Sequence, residues 1–318
     1  MAFTNLGAAV AAPVAIKFSH VLSNDSPKGQ TALKFKELAE KRLPGKVSVE
    51  VFPSAQLYND AGSLQALLLG DIQLVAVSLS NVKKYTKKLQ IFDLPFLFKD
   101  LEAVERFQAS PEGRGLLKAM DGKGYMGLGY LHNGMKLMTA NDPLRIPSDA
   151  SGRKFRIMSS DVLAAQYEAL GAHPVKKPFS EVFTLLQTKA IDGQENTWSN
   201  MWTKKFYEVQ DYITETNHGV VEYIILTSSS FWSGLPEDIR AELEQVMVES
   251  IAHGNNVART KAVADRKKVV DAGRNTIIKL TDEQRAQWVG VMRPVWKQFE
   301  DQIGKNLIDA AVAANSGP

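Results

Sequence analysis

Two segments carry the side chains best suited to holding an anion. The first is Gly152-Arg153-Lys154-Phe155-Arg156, three cations on or just before a short run with strand character. Alternation along a strand sends Lys154 and Arg156 to one face and Phe155 and Ile157 to the other. An interior guanidinium near a strand's end suits a buried carboxylate, because it is always charged and its planar fork meets both oxygens at once. The same pattern also fits an arginine paired with an internal Asp or Glu. The second segment runs from Phe179 to Trp198. It reads as a helix capped by Ser180, a turn at Asp192-Gly193, and the polar cluster Gln194-Glu195-Asn196-Thr197-Trp198. A buried Asn donates and accepts at once, which suits the second oxygen of a ligand carboxylate.

Other chemistries find no support. The nearest approach to a dinucleotide fingerprint, Gly122-Lys123-Gly124-Tyr125-Met126-Gly127, leads into a strand rather than a helix. There is no phosphate-binding P-loop, no H-E-x-x-H and no G-x-S-x-G. His20, His132, His173, His218 and His253 are scattered without metal-ligand spacing. With no cysteine, disulfides, thiolate metal sites and a cysteine nucleophile drop out together. We expect no cofactor and no catalysis.

The elements that must position these residues alternate strand and helix. Ile16–His20 reads as a strand, and Pro27 starts a helix to about Leu43, closed by Pro44-Gly45. Val47, Val49 and Val51 then alternate with polar residues. A helix over about 61–69 with Gly70 at its end leads to the apolar strand Leu74–Val77. One helix capped by Asp100 is expected to about Lys118, then a strand at Tyr125–Leu131. A second unit holds strands at Lys154–Met158, His173–Lys176 and Tyr223–Thr227, with a helix at Asp161–Leu170. From Pro236 to about Ala272 the pattern is helical, interrupted only by Gly254, and ~37 residues at 1.5 Å each reach about 55 Å. Such a helix must lie across two domains. Thr281-Asp282-Glu283-Gln284 opens a further helix with a capping box.

The fold class is therefore α/β, two-domain and periplasmic-binding-protein-like, with a mostly parallel sheet in each domain and the long helix spanning both. We expect residues 14–138 plus about 225–265 to form the first domain, and about 139–224 plus 266–318 the second. Ligands in such folds settle in the crevice outside the strand ends. The charge balance, 38 basic against 35 acidic residues, is too even for nucleic acid. The densest basic cluster, Lys83-Lys84 with Lys87-Lys88, reads as a solvated face. No apolar run approaches the ~18–20 residues that span a bilayer. Residues 1–13, with Ala9-x-Ala11, read as the trimmed end of a secretory signal or as a flexible Ala-rich tail.

Together the segments resemble the extracytoplasmic solute-binding proteins of tripartite ATP-independent periplasmic (TRAP) transporters, the DctP family. The resemblance runs from about Ile16 to Ile303. It is carried by Phe52-Pro53-Ser54-Ala55-Gln56-Leu57, by Phe92–Phe98, by the G-x-K-x-R at Gly152–Arg156, and by Ser180-Glu181-Val182 through Leu186-Gln187 to Asp192–Asn196. It implies that Arg156 makes the main salt bridge to a ligand carboxylate and that Asn196 helps hold it. It also implies a second cation in Asn133-Gly134-Met135-Lys136, where some members have Arg and this chain has Lys136. Sialic-acid-binding members place a Glu where this chain has Ser78, which argues against a sugar acid.

The implied cargo is a C4-dicarboxylate such as malate, succinate or fumarate. Lys28, in the first turn of its helix, would face the second carboxylate alongside Lys136, helped by the amides of that helix end. His20, Ser78, Trp198 and Tyr223 are further candidate contacts. The implied mechanism is hinge closure on the anion, the closed surface then being read by the TRAP membrane subunits. The setting is the periplasm, the protein a monomer, without membrane insertion. Another carboxylate (2-oxo, aromatic or lactam acid), a partner sensor kinase, or an enzyme of organic acids are the alternatives.

Overall fold

A computed structural model describes residues 12–317, so the expectation for residues 1–13 falls almost wholly outside it. Two sheets organise the chain. The first has the order β2 (Val47–Phe52), β1 (Val14–Ser19), β3 (Leu74–Ser78), β10 (Val220–Ser228), β4 (Tyr125–Met135). The second runs β11 (Thr276–Lys279), β9 (Tyr212–Glu215), β5 (Leu137–Ala140), β8 (Gly193–Asn196), β6 (Lys154–Ile157), β7 (His173–Lys176). Neither sheet is purely parallel. β10 runs antiparallel to both β3 and β4, and β5 antiparallel to both β8 and β9. The reason is topological: the chain leaves the first lobe along β4, continues into the second as β5, and returns along β10.

Period-two patterning builds the first core. Leu74 and Ala76 of β3 face one apolar cluster with Phe18, Phe35 and Met247, while Val75 and Val77 face another with Phe92 and Phe107. In the second lobe Phe155 and Ile157 pack with Tyr167 and Trp288. That leaves the opposite face of β6 to Arg156.

Several helix ends follow the sequence directly. The Ser26 hydroxyl accepts from the Gly29 amide at 3.1 Å ahead of Pro27, and Gly70 closes its helix at φ 83°. Thr281 and Gln284 form the expected capping box. Other expectations fail. The single helix from Asp100 is two, Leu101–Ala109 and Pro111–Leu116, because Pro111 lacks an amide proton and Ser110 caps the second. Ser180 caps nothing; it lies inside a 3₁₀ turn before the helix Val182–Gln187.

The long helix, Glu237–Asp271, is unbroken. Gly254 is there for contact: a Cβ would lie 1.8 Å from Thr31 Oγ1, where the helix Pro27–Arg42 crosses. Two boundaries need correction. Residues 220–224 belong to β10 and so to the first sheet. The last helices, Trp296–Ile303 and Lys305–Ala313, place Phe299, Ile303 and Leu307 in the first lobe's core beside Phe107, not in the second. No helix among the described residues is long and apolar enough to cross a membrane.

Candidate functional site

Between the lobes lies a cleft with a wide outer part and a small inner chamber. Strand ends and helix starts from both lobes close on the chamber. The first lobe supplies Lys28, Asp60, Ser78 and Tyr223; the second supplies Arg156 and Asn196.

Arg156 is 2% exposed, and its Nε donates to the Lys177 carbonyl at 2.9 Å. It makes no ion pair among the described residues, so the internal-partner reading of this arginine does not hold. Burial lowers its pKa to about 10, against the pull of Glu195 and Asp60. It therefore keeps its charge, with its terminal N–H groups uncommitted. Asn196 is nearly used up internally. Its Oδ1 accepts from the Thr197 amide (3.2 Å) and Asn200 Nδ2 (2.6 Å), while its Nδ2 donates to Gln194 Oε1 (3.1 Å). One amide hydrogen remains to donate.

Lys28 is fully buried, and its Nζ has no hydrogen-bond partner. It sits 3.7 Å from the centre of the Tyr223 ring, a cation–π contact. Burial lowers its pKa to about 8, with Asp60 pulling the other way. The Tyr223 hydroxyl accepts from Asn133 Nδ2 at 2.7 Å, which leaves its own proton to donate, and burial raises its pKa. Ser78 Oγ meets Met158 Sδ at 3.1 Å across the cleft.

Three expected contacts lie elsewhere. Lys136 is buried at the β4–β5 junction, with its Nζ 2.8 Å from Glu195 Oε1 and 3.7 Å from Asp93 Oδ1. His218 Nε2 holds the other Glu195 oxygen at 2.8 Å. Burial alone would raise the Glu195 carboxyl, but Lys136 and His218 outweigh it and hold it at about 2. The ammonium of Lys136 is thus already spent on carboxylates. Trp198 packs into the second lobe's core with Leu137 and Met201, under the Arg266 guanidinium at 5.6 Å. His20 is 1% exposed with both ring nitrogens unpartnered, and does not line the chamber; burial and Lys28 keep it neutral, at about 3.

Sequence reasoning missed Asp60. Its Oδ2 accepts from Asn81 Nδ2 at 2.6 Å, while its Oδ1 is buried without a partner. Asn59-Asp60 reads in sequence only as a helix start, and Asn59 is indeed the cap. Nothing local marks the neighbouring acid as facing a chamber. No group of His, Cys, Asp and Glu among the described residues could hold a metal ion.

The profile of the DctP family, bacterial extracellular solute-binding protein family 7, matches residues 18–302. The chain belongs to this family. Among DctP relatives, the C4-dicarboxylate-binding periplasmic protein DctP of Shewanella loihica is 61% identical over 305 residues, 96% of this chain and 91% of that protein. The protein of the same description from Vibrio cholerae is 48% identical, over 95% and 91%. A TRAP periplasmic solute-binding protein of Shewanella oneidensis, solved with bound succinate, superposes with a TM-score of 0.95 at 60% identity, covering 96% of this chain and all of that one. One from Pseudomonas aeruginosa with bound L-malate gives 0.88 at 46%, covering 90% and 100%. The DctP family is one of solute binding and transport, not of enzymes, and its members work outside the cytoplasm with small carboxylates and TRAP membrane components.

Proposed function

We propose that the chain binds a C4-dicarboxylate in the inner chamber, closes its lobes over it, and delivers it as a monomer in the periplasm to a TRAP permease. One observation carries the reading: two buried cations without anionic partners, Arg156 and Lys28, come from opposite lobes into the same small chamber. A buried charge left unpaired costs several kcal/mol, and a ligand with a carboxylate for each offsets that cost in both places. Arg156 holds one carboxylate with the spare Asn196 amide hydrogen, and Lys28 with the Tyr223 hydroxyl holds the other. The bound succinate and malate of the similar structures support this choice of cargo. Asp60 Oδ1 lacks a donor, and the hydroxyl of malate would supply one.

The test is calorimetry with succinate, L-malate, fumarate and a matched monocarboxylate. The dicarboxylates should bind, and Arg156→Ala should cost about 2–5 kcal/mol, a loss of roughly thirtyfold or more. Near-normal affinity in that variant would refute the anchor, and equal affinity for the monocarboxylate would refute the two-ended site.

A further inference from the structure

The lysine cluster that reads in sequence as a solvated face has a definite place in the fold. Lys83, Lys84 and Lys87 line the outer cleft from the first lobe, and Lys176 and Lys177 line it from the second. Arg156 stands at the floor, lining both the outer cleft and the chamber. Against these six cations stand three carboxylates. Asp60 faces the chamber, Glu181 lies 3.6 Å from Lys177, and Asp161 is shared by Lys83, Lys87 (2.8 Å) and Lys176 (3.3 Å). Lys84 has no acidic partner among the described residues. The mouth of the cleft therefore carries an excess of positive charge.

The chamber needs that excess. Its own charges, Arg156 and Lys28 against Asp60, leave one net positive, so a dianion would remain undercompensated by one. A cleft lined by one sign of charge between low-dielectric walls focuses its field outward and raises association rates for the opposite sign. We infer that Lys83, Lys84, Lys87, Lys176 and Lys177 form an electrostatic funnel through which the protein favours dianions over monoanions in the association rate. This rests on the dicarboxylate reading above and adds a kinetic selection to it.

The test uses stopped-flow association of the full chain with succinate at neutral pH. Wild-type kon should fall roughly tenfold between about 10 and 300 mM salt, while koff changes little. Lys84→Gln/Lys177→Gln leaves the Asp161 contacts and the chamber intact. It should lower kon about three- to fivefold at low salt, lose that effect at high salt, and be rescued by Lys84→Arg/Lys177→Arg. A monocarboxylate that binds should show a shallower salt slope. A kon insensitive to salt, or a variant defect that persists at high salt or resides in koff, overturns the funnel while leaving the dicarboxylate site standing. No binding of any C4-dicarboxylate by the wild type overturns both.

Discussion

Two lysines, both buried almost completely, sit at opposite extremes of electrostatic satisfaction. Lys136 meets Glu195 and Asp93, and its carboxylate partner is held in turn by His218. Lys28 has an aromatic face beside it and no hydrogen bond. Burial is common to both, so burial does not mark a binding residue. The difference lies in whether the fold supplies the counter-charge. Where it does, the lysine is part of the framework; where it does not, the charge is left open, as the proposed dicarboxylate site requires.

Substituting the two lysines sharpens that contrast most. Lys136→Met takes the lysine from buried Glu195 and Asp93, leaving Glu195 to His218 and the Tyr167 hydroxyl, and should cost about 3–5 kcal/mol of stability, read by denaturant unfolding. Lys28→Met removes an unpaired cation, so the ligand-free protein should unfold at a higher temperature while dicarboxylate affinity drops by about 2–3 kcal/mol. Similar losses of stability in both variants would break the comparison.

A third buried cation tests it through pH. His132 lies 2.8 Å from Glu222 and 3.3 Å from Glu105; burial alone would lower its pKa, but the two glutamates raise it to about 9. A folded pKa above the unfolded value gives stability that is full below about 6.5 and lost as pH rises through about 9, on the order of 2–3 kcal/mol. His132→Gln should flatten that slope in thermal melts across the window.

Lys28 carries the opposite sign. Its folded pKa of about 8 lies below the unfolded value near 10.5, so the unfolded chain holds more protons between them and this group's contribution to stability rises with pH there. Affinity moves the other way. Above pH 8 the ligand-free lysine must take up a proton to meet a carboxylate, so binding should weaken by up to tenfold per pH unit. Calorimetry in buffers of different ionisation heat should detect that uptake, and an unchanged affinity from pH 7 to 9.5 would remove Lys28 from the site.

The sequence displays some of this and hides the rest for physical reasons. Arg156 is legible because strand alternation separates it from Phe155 and Ile157, and because its motif is specific. Asn196 is legible from the motif alone. Lys136 and Lys28 are equivalent on paper, two lysines near cleft-forming elements. Only the folded chain shows that Glu195, one residue before Asn196, turns toward Lys136. The domain boundaries slipped because β10 reads the same in either sheet, and because the apolar face of the last helices does not name its partner. Ser110-Pro111 carries a helix stop that the amphipathic pattern around it obscures.

The crossing at Lys136 has a mechanical consequence. The Lys136 amide donates to the Gly219 carbonyl at 2.8 Å, and the Phe96 amide to the His218 carbonyl at 2.7 Å. The outgoing strand is thus bonded to the returning segment, which the loop at Phe96 holds from its other side, and the two form a narrow ribbon where they pass between lobes. A ribbon flexes easily across its flat face and stiffly within its plane, like the thinned strip that joins the lid of a moulded box to its base. Such a strip passes any shift of one strand to the other, so the two crossings act as one connection between the lobes.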